Sequence, residues 1–360
     1  DRQFELPLVT PMHARIFLIA LCQVAAAAAW PGNAGATEPT GYSITGRVPG
    51  SGSAWDYAVV DEHSGRLFLA QAGVTALDLK TNTVTTDLVP GKMTHALAHL
   101  GDGTLAVDDS QNRVITIFDG ASGRILSTIP TADYNPVSGV HALDAMVLEP
   151  KTGLLVAFNG ESGLVLLIDV KKDSVAGTVS VGGHPEFAAA DGTGKIYINV
   201  NRGKVSEIVA LDIASRKVVK RVPLDGCEEA TGLAYDRADQ LVLSVCDNGI
   251  LKAFDAGAGR VVASVAVGRG ADAVMFDSVR RRAFVAGGED GTLSVIAVRS
   301  NRDIAVLQTL STQKGTRLGA VDIDSGRVYL PSAKFGPPKP PIPYPTVLPG
   351  TFGFLVAAPN

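Results

Sequence analysis

Residues Gly194–Leu224 read GKIYINVNRGKVSEIVALDIASRKVVKRVPL, and the fold follows from this stretch. Tyr197-Ile198-Asn199-Val200 alternates as a half-buried strand does, Ile208 to Ile213 is a second apolar run and Lys217 to Leu224 a third, with turn residues between them. Just upstream, Glu186 to Asp191 supplies a fourth strand on the inner side. Four short strands in sequence make one blade of a larger array.

The pattern recurs on either side. Trp55 to Val89 holds strands at Tyr57–Val60, Leu67–Ala70, Thr75–Leu79 and Thr83–Val89, with Asp61 closing the first. Positions equivalent to Asp61 are Leu100, Glu149, Asp191, Asp236, Asp277 and Asp322, spaced 39 to 49 residues apart. A second landmark checks the register: Asp78, Asp119, Asp169, Asp212 and Asp255 each end a third strand, and six residues later stand Val84, Ile125, Val175, Val218 and Val261. An Asp there bonds the backbone of the tight turn it opens, so its role is turn formation rather than catalysis. Ala297 breaks the series in the sixth unit.

Seven units follow. The last has strands at Leu318–Val321, Val328–Leu330 and Phe352–Val356 and lacks a fourth, while Tyr42 to Val48 is a strand with no neighbours of its own. Pairing Ser43–Val48 with Phe352–Val356 closes the ring and removes the open edge between first and last units. The expected fold is an all-β, seven-bladed β-propeller of four-stranded antiparallel blades. A solenoid of the same period would need capping repeats and would leave Ile44 unexplained.

The chain of 360 residues carries 32 Lys and Arg against 36 Asp and Glu, a net charge of -4 that supplies no electrostatic reason to bind a polyanion. Its 39 glycines and recurrent short Val and Ile runs suit many tight turns between small strands. Met12-His13-Ala14-Arg15, the apolar run Ile16–Ala29 and Ala34-Gly35-Ala36 read as a secretory signal cut after Ala36, with residues 1–11 an over-extension ahead of the start. The apolar run is short of the ~20 residues a membrane span needs. Leu21 before Cys22 is too large for lipoprotein processing. Residues 37–360 are then one propeller domain, periplasmic or secreted and expected to be a monomer without a transmembrane segment.

Tyr197-Ile198-Asn199-Val200-Asn201, the strand-ending Asp series and the Val-Gly or Leu-Asp-Gly blade ends resemble the YVTN (YncE-like) seven-bladed propeller family over about residues 42–358. The resemblance implies the same fold and an exported location. It implies no particular reaction, because members of that family are functionally diverse.

Several sharper motifs are excluded. Trp55-Asp56 occurs once and opens an innermost strand, unlike the dipeptide of WD repeats. The chain has no CxxCH for haem, no HExxH for zinc hydrolysis and no repeated Trp motif of quinone-dependent propellers. Gly287-Gly288-Glu289-Asp290-Gly291 is a hairpin turn with no helix after it to bind phosphate, and no Gly-x-Ser-x-Gly precedes a helix. The Pro-rich run GPPKPPIPYPTVLPG, residues 336–350, is expected as an extended loop between the second and third strands of the last blade, on the face where one blade passes to the next.

Counting back five residues from each landmark gives Asp56, His95, Asp144, Glu186, Thr231, Asp272 and Arg317, one polar residue per blade where its innermost strand begins. His141 and His184 lie just upstream on the connecting loops. Innermost strands line the central channel, so these side chains are expected to converge at its mouth and form a binding site. Four acids together would raise some carboxyl pKa values or invite a cation or a protonated ligand. A wet channel lined by polar groups without purpose is the plainer reading. No cofactor is expected, though Asp144, Glu186 and Asp272 could hold a divalent cation.

The role expected is a binding module for a small polar ligand or an envelope protein. The alternative is an enzyme working at the same ring, a lactone hydrolase or a metal-assisted reaction with His95 as base, its titration expected between about pH 6 and 8. Single-stranded nucleic acid is a third reading and is not the expected partner, for want of a basic groove with stacked aromatics. Cys227 immediately precedes the innermost strand of the fifth blade and Cys246 ends the strand antiparallel to it, so an exported chain should join them in a disulfide.

Overall fold

Each blade is a four-stranded antiparallel sheet whose hairpins are closed by local side-chain chemistry. In this computed structural model the described residues are 41–52, 54–134, 143–300, 303–338 and 345–360, and the leader expected over residues 1–36 lies outside them. The first blade is Ala58–Asp61, Arg66–Ala70, Val74–Asp78 and Val84–Val89, and five more follow the same order. Their innermost strands are Leu97–Gly101, Ala145–Glu149, His184–Ala190, Ala230–Asp236 and Val274–Asp277. The seventh is Ala320–Val321, Val328–Ser332, Gly353–Pro359 and, as outermost strand, Tyr42–Pro49. Each innermost strand touches the next, and that of the seventh blade touches that of the first, so the ring closes.

The closing strand pairs as the edge argument requires, with Tyr42 opposite Pro359 and Val48 opposite Phe354. Gln308 of the sixth blade clamps it, accepting from the Tyr42 amide at 2.8 Å and donating to the Tyr42 carbonyl at 2.9 Å. The Tyr42 ring is buried edge-on against Phe284, centroids 5.0 Å apart.

The repeated Asp residues form the turns. Asp78 accepts from the Thr81 amide at 2.8 Å, Asp119 from Ser122 at 2.8 Å, Asp212 from Ser215 at 2.8 Å and Asp255 from Ala258 at 2.7 Å. Four residues after each Asp the backbone is left-handed, at Asn82, Gly123, Arg216 and Gly259. Where Ala297 replaces the Asp no turn forms, and the strand runs on to Ser300, pairing Ala297 with Ala305.

The half-buried alternation expected at Tyr197–Val200 is not what the fold uses. Ile196 to Val200 are buried on both faces, because each middle strand is covered by a blade on either side. Alternation appears on outermost strands, as in Ser174–Ser180 and Asp303–Ser311. The buried apolar side chains of the described residues accordingly fall into seven clusters, one between each pair of neighbouring blades, rather than one central core. The axis is thus left free for polar groups.

Cys227 and Cys246 are joined, with Cα atoms 5.4 Å apart, at the end of the fifth blade where Ala230 pairs with Cys246. Among the described residues no helix is long and apolar enough to cross a membrane.

Candidate functional site

Six of the seven blades each send one of these residues to the channel mouth, because the chain enters the innermost strands from the same face. The Asp56 amide donates to the Ala70 carbonyl and the Asp144 amide to the Phe158 carbonyl, both at 2.9 Å, so each acid is held by the second strand of its own blade. The Tyr57 amide reaches across to the His95 carbonyl at 3.2 Å and the Asp272 amide to that of Arg317 at 2.9 Å, which ties neighbouring blades together at this level. Glu186 and Thr231 sit where the ladder slips, between Pro185 and Ala188 and between Ala230 and Leu233. Such bulges re-aim side chains. The second depends on Gly232, since a Cβ there would lie 2.4 Å from the Cα of Ala273 on the adjacent blade.

Asp56, Asp144, Glu186, Thr231, Asp272 and Arg317 line one cavity of about 390 Å³. They are not equivalent. Arg317 Nε lies 2.8 Å from Asp272 Oδ2, an ion pair at the rim. The Thr231 hydroxyl donates to the Ala271 carbonyl at 2.6 Å, so it fastens one blade to the next. His95 lies outside the cavity lining: its Nδ1 is 3.2 Å from Ser110 Oγ and 3.6 Å from Asp108 Oδ2. The buried Asp108 carboxylate also accepts from the His95 and Ala96 amides at 2.8 and 2.7 Å.

Of the three acids expected to hold a cation, Asp144 and Glu186 come together, and the third member is His184 rather than Asp272. One ligating atom from each lies within 4.8 Å of the others, and His184 Nε2 is 3.0 Å from Glu186 Oε1. His184 opens its strand and lines the cavity. His141 lies outside the described residues.

Sequence reasoning missed two rings. Tyr57 and Phe187 stack with centroids 4.6 Å apart and both line the cavity. Each follows a ring acid directly, at Asp56-Tyr57 and Glu186-Phe187, and that adjacency was the available signal.

The electrostatics follow from crowding acids in a partly closed space. Burial raises Asp56 to about 7, opposed by Arg317 and His95 and reinforced by Asp272 and Asp108. Burial, then the charges of Asp56 and Glu186, raise Asp144 to about 8. Asp272 is also raised by burial, with Arg317 opposing. Burial alone would lower His95, but the hydrogen bond and charge of Asp108, with Asp56 and Asp144, bring it to about 9. Titration near neutral pH therefore belongs to Asp56 and Asp144, and His95 stays protonated there. Burial and the surrounding acids hold the Tyr57 phenol well above its ordinary range.

The Pro-rich loop leaves the same face. Its flanks pair as Phe335–Gly336 with Thr346–Val347, and Phe335 and Phe352 pack on Trp55, the residue before Asp56, at 5.7 and 5.3 Å. Residues 339–344, the middle of the loop, lie outside the described residues.

No family model matches the chain, and no curated protein matches it. Among solved structures it is similar to a chain of Kuenenia stuttgartiensis hydrazine synthase, with a TM-score of 0.65 at 14% identity, covering 81% of this chain and 96% of that one. Fold and topology define a seven-bladed β-propeller, and at that identity the likeness speaks for the fold alone.

Proposed function

We propose that this protein is a binding propeller whose channel mouth takes a small, positively charged or zwitterionic ligand. The observation that carries the reading is the convergence of four carboxylates, Asp56, Asp144, Glu186 and Asp272, with a single arginine and the stacked Tyr57 and Phe187, on one cavity of about 390 Å³. That volume suits a small molecule. An ammonium group finds carboxylates and aromatic rings there, and Arg317 at the rim can turn from Asp272 to take an acidic group on the same ligand. Apolar ligands would leave the acids unpaired.

Relation to the YVTN (YncE-like) propellers and export behind a leader ending at Ala36 belong to the same proposal. The Cys227–Cys246 bridge supports an oxidising compartment. The exported domain, residues 37–360, would act as a monomer.

The test is a thermal-shift screen of amines, amino acids, carboxylic acids and neutral sugars, followed by calorimetry. Amines or amino acids should raise the melting temperature, and Asp56→Asn or Asp272→Asn should weaken their binding. Binding confined to neutral or anionic compounds, or amine binding unchanged in both variants, would refute the reading.

A further inference from the structure

The acids of the mouth differ in what balances them. Asp272 has Arg317 at 2.8 Å, and Asp56 also feels Arg317. Asp144 feels the charges of His95 and His184, and His184 Nε2 faces Glu186 Oε1 at 3.0 Å. Among the described residues no hydrogen-bond donor reaches the Asp144 carboxylate, which lines the cavity.

We infer that Asp144, His184 and Glu186 together bind one first-row divalent cation, with its remaining coordination positions open to the cavity. This rests on the reading of the mouth as a binding site and names an inorganic occupant for one wall of it. The donor set is two carboxylate oxygens and one imidazole nitrogen, already within 4.8 Å of one another, so a cation between them needs only small side-chain adjustments to reach ligand distances of about 2.0–2.2 Å. The imidazole disfavours calcium and magnesium, which take oxygen donors, and suits zinc, cobalt or manganese. Three protein ligands with an open position is the arrangement of a site that presents its metal to a ligand rather than one that staples a fold.

The outer support is also in place. The Gly160 backbone lies against the His184 ring and limits its orientation, as outer partners do for metal-bound histidines. Gly160 has to be glycine for this: a Cβ there would lie 2.9 Å from His184 Cε1. Asp144 comes from the third blade and His184 and Glu186 from the fourth, so the cation would bridge two blades at the start of their innermost strands. His184 and Glu186, two residues apart, share one face of the strand by its ordinary alternation, just before the ladder slips between Pro185 and Ala188.

The experiment titrates chelator-treated protein with Zn²⁺ against a chromogenic competitor, and with Co²⁺ by visible absorption. Expected are one Zn²⁺ per chain, Co²⁺ d–d bands that Zn²⁺ abolishes, and no displacement by excess Mg²⁺ or Ca²⁺. His184→Ala and Glu186→Gln should each weaken binding by roughly 100-fold or more, since loss of an outer-shell partner alone costs about 10- to 100-fold. Gly160→Ala should weaken it about tenfold by displacing the ring. Ser174→Ala, at an exposed position of an outermost strand, should bind as the parent does. Absence of stoichiometric binding by Zn²⁺, Co²⁺ and Mn²⁺ alike overturns the site. So does unchanged binding by His184→Ala and Glu186→Gln chains that melt as the parent does. The amine screen, run with chelator present, reports on the channel-mouth reading independently, so either can fail while the other stands.

Discussion

Replacing Asp56 by asparagine removes a charge from a place where burial resists it, and the stability of the chain should respond to pH accordingly. In the folded protein Asp56 ionises at about 7, against an ordinary value of 3.8. The folded state therefore binds more protons than the unfolded one between those values, and the stability Asp56 contributes when protonated is lost as pH rises through about 7. Three pH units correspond to about 4 kcal/mol, which water in the open cavity and the charge of Arg317 reduce to roughly 2–4 kcal/mol. Asparagine is nearly isosteric and carries no charge, so the variant escapes this loss. With unfolding entropy near 2.1 cal/mol/K per residue, the variant should melt roughly 3–6 °C above the parent at pH 8 and within about 1 °C of it at pH 4. Melts of both chains at half-unit steps from pH 4 to 9, with chelator present, measure the difference directly. A difference independent of pH, or a variant less stable than the parent at pH 8, would refute the argument that Asp56 is a strained carboxylate held for binding. A gain in stability with a loss of ligand binding is the trade expected of a functional site.

Other consequences are as direct. Tyr42→Ala should cost about 3–5 kcal/mol in urea unfolding, because the ring is fully buried against Phe284 and anchors the closing strand; deletion of residues 41–49 should lower the melting temperature sharply or cause precipitation by exposing the edge at Gly353–Pro359. Cys227→Ser combined with Cys246→Ser should cost about 3 kcal/mol from the small loop closed across 19 residues, and the parent should show neither of these thiols in denaturant without reductant. Thr231→Val should cost about 1 kcal/mol through the bond to Ala271 while leaving amine binding intact, a result that calorimetry would contradict if the hydroxyl contacts ligand. Gly232→Ala should cost about 1–3 kcal/mol in denaturant unfolding, because its methyl group meets the Ala273 backbone; a neutral outcome would mean that the two blades part easily at this level.

What was legible in the amino-acid order is what short-range chemistry dictates. An Asp that bonds the amide three residues on, followed by a left-handed position, makes a turn wherever it occurs, so Asp78, Asp119, Asp212 and Asp255 marked hairpins before any tertiary contact was known. Blade count, the pairing of Tyr42–Pro49 with Gly353–Pro359 and the Cys227–Cys246 bridge all follow from that register. Even its failure at Ala297 was visible, though not the longer strand that resulted. The same register brought Asp56, Asp144, Glu186, Thr231, Asp272 and Arg317 to one cavity, because a position counted along each blade sets a height along the axis. Height says nothing of direction. That Arg317 pairs with Asp272, that His95 meets Asp108 and Ser110, and that His184 joins Asp144 and Glu186 depend on side-chain torsions, on bulges at Glu186 and Thr231, and on contacts within and between blades, the latter among residues 40 or more apart in sequence. Those are decided only when seven locally defined blades are packed around one axis and must share the space at its mouth.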